Sequence, residues 1–144
     1  MFSARPFTLS DVMPMLDEPM NATYAPWKLD DYAYPKRLSA EGSALTALVD
    51  DVPMACFFFI ELWPGRAYLC SIFSEKVNKH SIQVYRGMRK VIPDLIWNRI
   101  EFDCPIDFEL GHRRAKFMGF DVMCPLARKY GPDGEDAKIF EWVR

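Results

Sequence analysis

Histidine is scarce in this chain: His80 and His112 are the only two. The four cysteines, Cys56, Cys70, Cys104 and Cys124, form no Cys-x-x-Cys pair, and each lies in an apolar or strand-like stretch. A zinc site therefore has no good ligand set, and the thiols are expected to be buried and reduced. No apolar run is long: the longest, Val52 to Ile60, has nine residues, too few to span a bilayer. The first residues, Met1-Phe-Ser-Ala-Arg-Pro6, lack the basic-then-apolar pattern of a signal peptide, so a soluble, cytoplasmic protein is expected. No dense basic run exists, which disfavours nucleic acid. No low-complexity segment or internal repeat is present.

What is present is enough for one core. Half of the 144 residues are hydrophobic and 15% are aromatic, which predicts a single domain over 1–144. The net charge of −2 conceals an asymmetry. Residues 1–61 carry nine acids and four bases, and residues 62–144 eleven acids and fourteen bases. A mildly basic second half suits a phosphate-bearing ligand, and it equally suits scattered solvated charges.

Phe2 to Thr8 alternates and predicts a first strand. Ser10 is the expected N-cap of a short helix ending near Glu18-Pro19, with Pro14 in its first turn. Residues 19–35 are irregular and crowded with Tyr24, Trp27, Tyr32 and Tyr34. They cap the core or offer a binding surface, and a helix is expected from about Leu29 to Ala40. Residues 43–73 predict an antiparallel meander. A strand from Ser43 turns at Asp50-Asp51-Val52-Pro53 into Met54–Leu62, apolar on both faces and hence central in a covered sheet. The turn Trp63-Pro64-Gly65-Arg66 then leads into a third strand, Ala67–Phe73.

That strand hands over through Ser74-Glu-Lys-Val-Asn-Lys-His80 to an amphipathic helix, Ser81 to Ile92, with Asn78 as another N-cap candidate. Such a junction leaves backbone N–H groups free at a helix start, a ready anion site. Arg99–Cys104 alternates as a strand. Asp107–Met118 is a helix with acids early and bases late, and Gly119 is its C-terminal cap residue. Phe120–Tyr130, a Gly131–Gly134 turn and Ala137–Val143 close the chain as a hairpin. The order β, α, α, β, β, β, α, β, α, β, β predicts an α+β fold: a mixed, mostly antiparallel sheet with helices on both faces.

In this order, and in the motifs Arg99-Ile-Glu-Phe-Asp, Gly111-His-Arg-Arg-Ala-Lys-Phe-Met-Gly-Phe120 and Arg128-Lys-Tyr-Gly-Pro-Asp-Gly-Glu-Asp136, the chain resembles the GNAT superfamily of acyl-CoA N-acyltransferases. Its flavour is close to that of small GNAT-like proteins of tailed bacteriophages. The resemblance implies acetyl-CoA as cofactor and an amine on a host protein or small metabolite as acceptor, in the host cytoplasm if the chain is phage-encoded. The alternative is a catalytically silent GNAT-fold protein that binds and modulates a host protein. A homodimer is left open.

The chain departs from the family pattern in two places. Where family enzymes carry an Arg/Gln-x-x-Gly-x-Gly/Ala loop, this chain has Val77-Asn-Lys-His-Ser-Ile82, without glycine. Where the family's frequent asparagine and acidic tyrosine stand, it has Phe108 and Ala115. The resemblance places the cofactor against Ile72, Phe73, Asn78, Lys79, His80, Ser81, Ile82 and Arg113, with Lys116 in reach of the phosphates. It places the acyl group between the strands Ala67–Phe73 and Arg99–Cys104. Glu61 and Glu75 are the candidate bases, His112 a candidate acid or base, and Ser71 and Cys70 candidate donors to the leaving thiolate.

Overall fold

The computed structural model describes residues 1–24 and 42–144. The helix expected at about Leu29–Ala40, and Trp27, Tyr32 and Tyr34, lie outside the described residues. Strand β1 (Phe2–Pro6) leads to helices α1 (Leu9–Leu16) and α2 (Pro19–Tyr24). The meander follows as β2 (Gly42–Val49), β3 (Val52–Trp63) and β4 (Arg66–Phe73). Next come α3 (Val77–Val91) with a 3-10 turn at Ile92–Asp94, β5 (Arg99–Pro105), α4 (Glu109–Phe117), β6 (Asp121–Ala127) and β7 (Ala137–Val143).

The seven strands form one sheet in the order β1-β2-β3-β4-β5-β7-β6, antiparallel except for the β4–β5 step. The β2–β3 turn uses Asp50 and Asp51, both with positive φ, as a two-residue hairpin loop requires. β3 is buried without a break from Met54 to Phe59, as its unalternating apolar run predicts. Phe57 and Phe59 enter the larger core beneath α3 and α4, whereas Cys56 and Phe58 enter a smaller one beneath α1. Helices therefore cover both faces of the sheet.

Two local expectations are corrected. The N-cap of α1 is Thr8 rather than Ser10, and Pro14 lies in the helix interior. The Asp11 carboxylate decides this start. It accepts the Thr8 N–H at 3.1 Å, a forked pair from Arg5 at 2.8 and 2.7 Å, and the Thr46 hydroxyl at 2.7 Å. The second correction lies at the junction after β4. Only Ser74, Glu75 and Lys76 separate strand from helix, so Asn78, Lys79 and His80 are helical rather than loop residues. With no glycine or proline after Ser74 to hold the chain open, the helix winds an extra turn toward the strand.

At the other end of the sheet, Gly119 (φ +95°) ends α4, and the Phe120 N–H reaches back to the Ala115 carbonyl at 3.0 Å. This is the expected glycine cap. It directs the chain into β6, an edge strand. No helix among the described residues is long and apolar enough to cross a membrane. No cysteine is in a disulfide, and burial pushes the Cys56 thiol up to about 12.

Candidate functional site

The site begins where two parallel strands part. β4 and β5 are in register only from Arg66↔Arg99 to Tyr68↔Glu101. Beyond that point β5 pairs with β7 alone, and β4 keeps its bonds to β3. Between the separated ends lies a cleft of about 690 Å3, its open mouth included. Leu69, Ser71 and Phe73 line it from β4, and Phe102, Asp103 and Cys104 from β5. Asn21, Phe108 and Arg114 are also on its wall.

The two-residue period of β4 sorts the expected residues. Ser71 and Phe73 face the cleft, whereas Ile72 packs in the opposite core with Val12, Met15 and Leu16. The Ser74 N–H bonds to the Met54 carbonyl at 2.9 Å, so Ser74 is turned toward β3 and the Phe73 carbonyl points the other way. That carbonyl accepts the buried Asn21 side chain, Nδ2 to O 2.9 Å, and the same amide also donates to the Met15 carbonyl at 2.7 Å.

At the start of α3 every backbone N–H from Glu75 to Lys79 is already bonded. Glu75 N–H donates to the Glu18 carboxylate at 2.5 Å, and Lys76 N–H to the Ser74 hydroxyl oxygen at 3.2 Å. Val77, Asn78 and Lys79 donate to the carbonyls three residues back. The Ser74 hydroxyl in turn donates to Glu18 at 2.9 Å. A carboxylate thus occupies the position at which a glycine loop would offer N–H groups to an anion.

A second groove, about 500 Å3 with its open side, runs between α3 and α4. Asn78, Ser81 and Tyr85 line it from one helix, and Leu110, Arg113, Arg114 and Phe117 from the other. Those spacings are single helix faces. Tyr85 and Phe117 stack across it with ring centroids 6.1 Å apart. Arg114 lines both the groove and the strand cleft, so the two meet at its side chain. Burial pushes its guanidinium down from the ordinary value, against the pull of Tyr85.

Of the expected cofactor residues, the structure brings Asn78, Ser81 and Arg113 together at this groove, and Phe73 lies in the cleft. Lys79 and Ile82 are exposed elsewhere on α3, and His80 bonds Gln83, Nδ1 to Oε1 3.0 Å. Lys116 lies with Arg89 in a separate depression beside Gly119.

Among the residues expected to do chemistry, Ser71 alone lines the cleft. Glu61 is exposed opposite Ala67, at the end where β4 and β5 are still paired. Cys70 faces the α1 core. The Glu75 side chain accepts the Met20 N–H at 3.4 Å. His112 is buried, with Nε2 2.9 Å from the Pro105 carbonyl and its ring 5.8 Å from that of Phe140. It fastens α4 to the end of β5 and lines none of these cavities.

Asp103, Arg114 and Asn21 were missed at the sequence level. Asp103 occupies the polar phase of an alternating strand, the usual solvent signature. Arg114 follows another arginine, and only the phase of α4 against the sheet separates the buried member from the exposed one.

The sequence matches no protein-family model and no curated protein. Its structure matches many solved ones. Aminoglycoside acetyltransferase AAC(6')-Ib in complex with coenzyme A and kanamycin superimposes with TM-score 0.75 at 14% identity, covering 100% of this chain and 95% of that one. A GNAT-family acetyltransferase from Bacillus anthracis gives 0.74 at 12% identity, over 99% and 94%. The ribosomal-protein-S5-alanine acetyltransferase from Vibrio fischeri gives 0.67 at 11%, over 99% and 92%. The strand order, the parting of β4 from β5 and these whole-length superpositions together establish that the chain has the GNAT acetyltransferase fold.

Proposed function

We propose that the protein is an acyl-CoA-dependent N-acyltransferase that uses acetyl-CoA or a close relative. One observation carries the reading: the cleft between β4 and β5 meets the α3–α4 groove at Arg114. A largely apolar cleft that runs into a polar groove suits an acyl-pantetheine arm followed by a diphosphate. On this reading the thioester lies beside Ser71 and Phe73. The phosphates lie in the groove against the side chains of Asn78, Ser81 and Arg113, which replace the backbone cradle that Glu18 occupies.

The acceptor is an amine, carried by a small metabolite or a host protein if the chain is phage-encoded. It approaches from the Asp103 side of the sheet. Asp103 lines the cleft and takes the role of holding the amine and accepting its proton as nitrogen attacks the thioester carbonyl. The C–S bond then breaks, and on this reading the Ser71 hydroxyl donates a hydrogen bond to the departing sulfur. The test is release of free CoA thiol from acetyl-CoA on addition of a panel of amines. Amine-dependent release that falls about a hundredfold in Asp103→Asn supports the reading. No release with any amine tells against it.

A second reading has its own observation. Every N–H from Glu75 to Lys79 is bonded within the protein, which suits a fold kept for docking onto a host protein after its cofactor was lost. A single dominant partner recovered from bacterial lysate, together with no response to acetyl-CoA, favours that reading.

A further inference from the structure

We propose that the β4–β5 cleft takes a ligand bearing a carboxylate, and that Arg114 is its partner; this rests on the cleft being the substrate site described above. Arg114 is 3% exposed, yet among the described residues no carboxylate lies within ion-pair distance of it. Its contacts with the described residues leave much of the guanidinium fork unused. Nε donates to the Tyr85 hydroxyl at 3.0 Å, Nη2 lies 3.9 Å from the Met20 sulfur, and the Phe73 ring is 4.2 Å beneath the central carbon. Two of these are soft contacts, which offset only part of the desolvation of a buried cation.

A guanidinium has five N–H donors in a planar fork, and the fork fits the two oxygens of a carboxylate. Tyr85 holds the Nε edge and Phe73 the flat face, so the side chain is fixed in orientation before any ligand arrives. The other wall residues favour a monoanion. Arg114 is the one cation among the described residues lining the cleft, Asp103 adds a negative charge there, and Leu69, Phe102 and Met118 are apolar. A phosphate dianion would meet one cation, one carboxylate and a poorly hydrating wall.

The carboxylate has two chemical sources: a dicarboxylic acyl group on CoA, or the acceptor itself, as in an amino acid. Two ligand pairs separate them. Succinyl-CoA is titrated against acetyl-CoA, and N-acetylalanine against N-acetylalaninamide, with binding followed by calorimetry. In at least one pair the carboxylate-bearing member should bind about tenfold more tightly, and Arg114→Gln should abolish the preference. Because Arg114 is buried, Tyr85→Phe serves as the second variant. It keeps the ring and frees Nε, and it should reduce the preference without abolishing it. Equal binding within both pairs, undetectable binding included, overturns the proposal, as does a preference that survives in Arg114→Gln. The second pair contains no CoA, so a preference there stands even if acyl-CoA itself fails to bind.

Discussion

The Glu18 carboxylate accepts the backbone N–H of Glu75 at 2.5 Å, at the point where β4 gives way to α3. It also takes the Ser74 hydroxyl at 2.9 Å, so an acidic side chain from the α1–α2 junction closes the helix start. Glu18→Ala frees both donors. If phosphates bind in the α3–α4 groove instead, the variant loses stability, by about 1 kcal/mol, and its affinity for acetyl-CoA stays within twofold of the parent. Calorimetry and thermal unfolding on the same samples check both halves. A large gain in affinity would place the phosphates at Glu75 instead.

Arg113 is exposed on the wall of that groove, which Asn78 and Ser81 line from the other helix. Arg113→Glu should weaken acetyl-CoA about tenfold, some 1.4 kcal/mol. Lys79→Glu, off the groove, should leave the affinity within about twofold and serves as the charge-matched control. Comparable losses in the two variants would mean that a diffuse positive field, not the groove, attracts the ligand.

Burial alone would raise the Asp11 carboxyl, but hydrogen bonds from Arg5, Thr46 and Thr8 outweigh it and hold the group at about 2, below the ordinary aspartate value. The sign follows from linkage: the ionised group stabilises the fold above the unfolded value, and this is lost as pH falls through the folded one. Thr46→Val removes the 2.7 Å donor. The variant should be less stable by about 1–2 kcal/mol near neutrality. Its deficit should shrink between pH 4 and pH 2, which urea unfolding at several pH values measures. A deficit independent of pH would assign the loss to packing.

Gly87 lies in α3 against β1, and a Cβ built there would stand 2.4 Å from the Phe2 ring. Gly87→Ala gains helix propensity yet forces that ring aside, for a net loss of about 1–3 kcal/mol. Phe2→Leu in the same chain should recover part of it, read as the midpoint of thermal unfolding.

Much of the architecture was legible because single residues dictated it. The unbroken apolar run of β3 requires cover on both faces, and Gly119 marks the end of α4. Asp50-Asp51 tolerates the positive φ that a tight hairpin imposes. The start of α1 was misplaced because Thr8 and Ser10 are equivalent hydroxyl caps locally. Asp11 decides between them through Arg5 and Thr46, and Thr46 is remote in sequence. The site was less legible. Glu101 stands in the polar phase of an alternating strand, yet Arg66 and Arg99 bury it in two ion pairs. The loop expected over 77–80 became helix because nothing there resists winding. Arg114 and Asp103 owe their places to the parting of two strands, which no local pattern records.

The central claim is that the cleft and groove together receive an acyl-CoA. Thermal unfolding across a titration of acetyl-CoA tests it most directly. Ligand at a hundred times its dissociation constant stabilises by about 2.7 kcal/mol, so the midpoint should climb by several degrees and go on rising with concentration. A midpoint that stays flat up to millimolar acetyl-CoA would contradict the account.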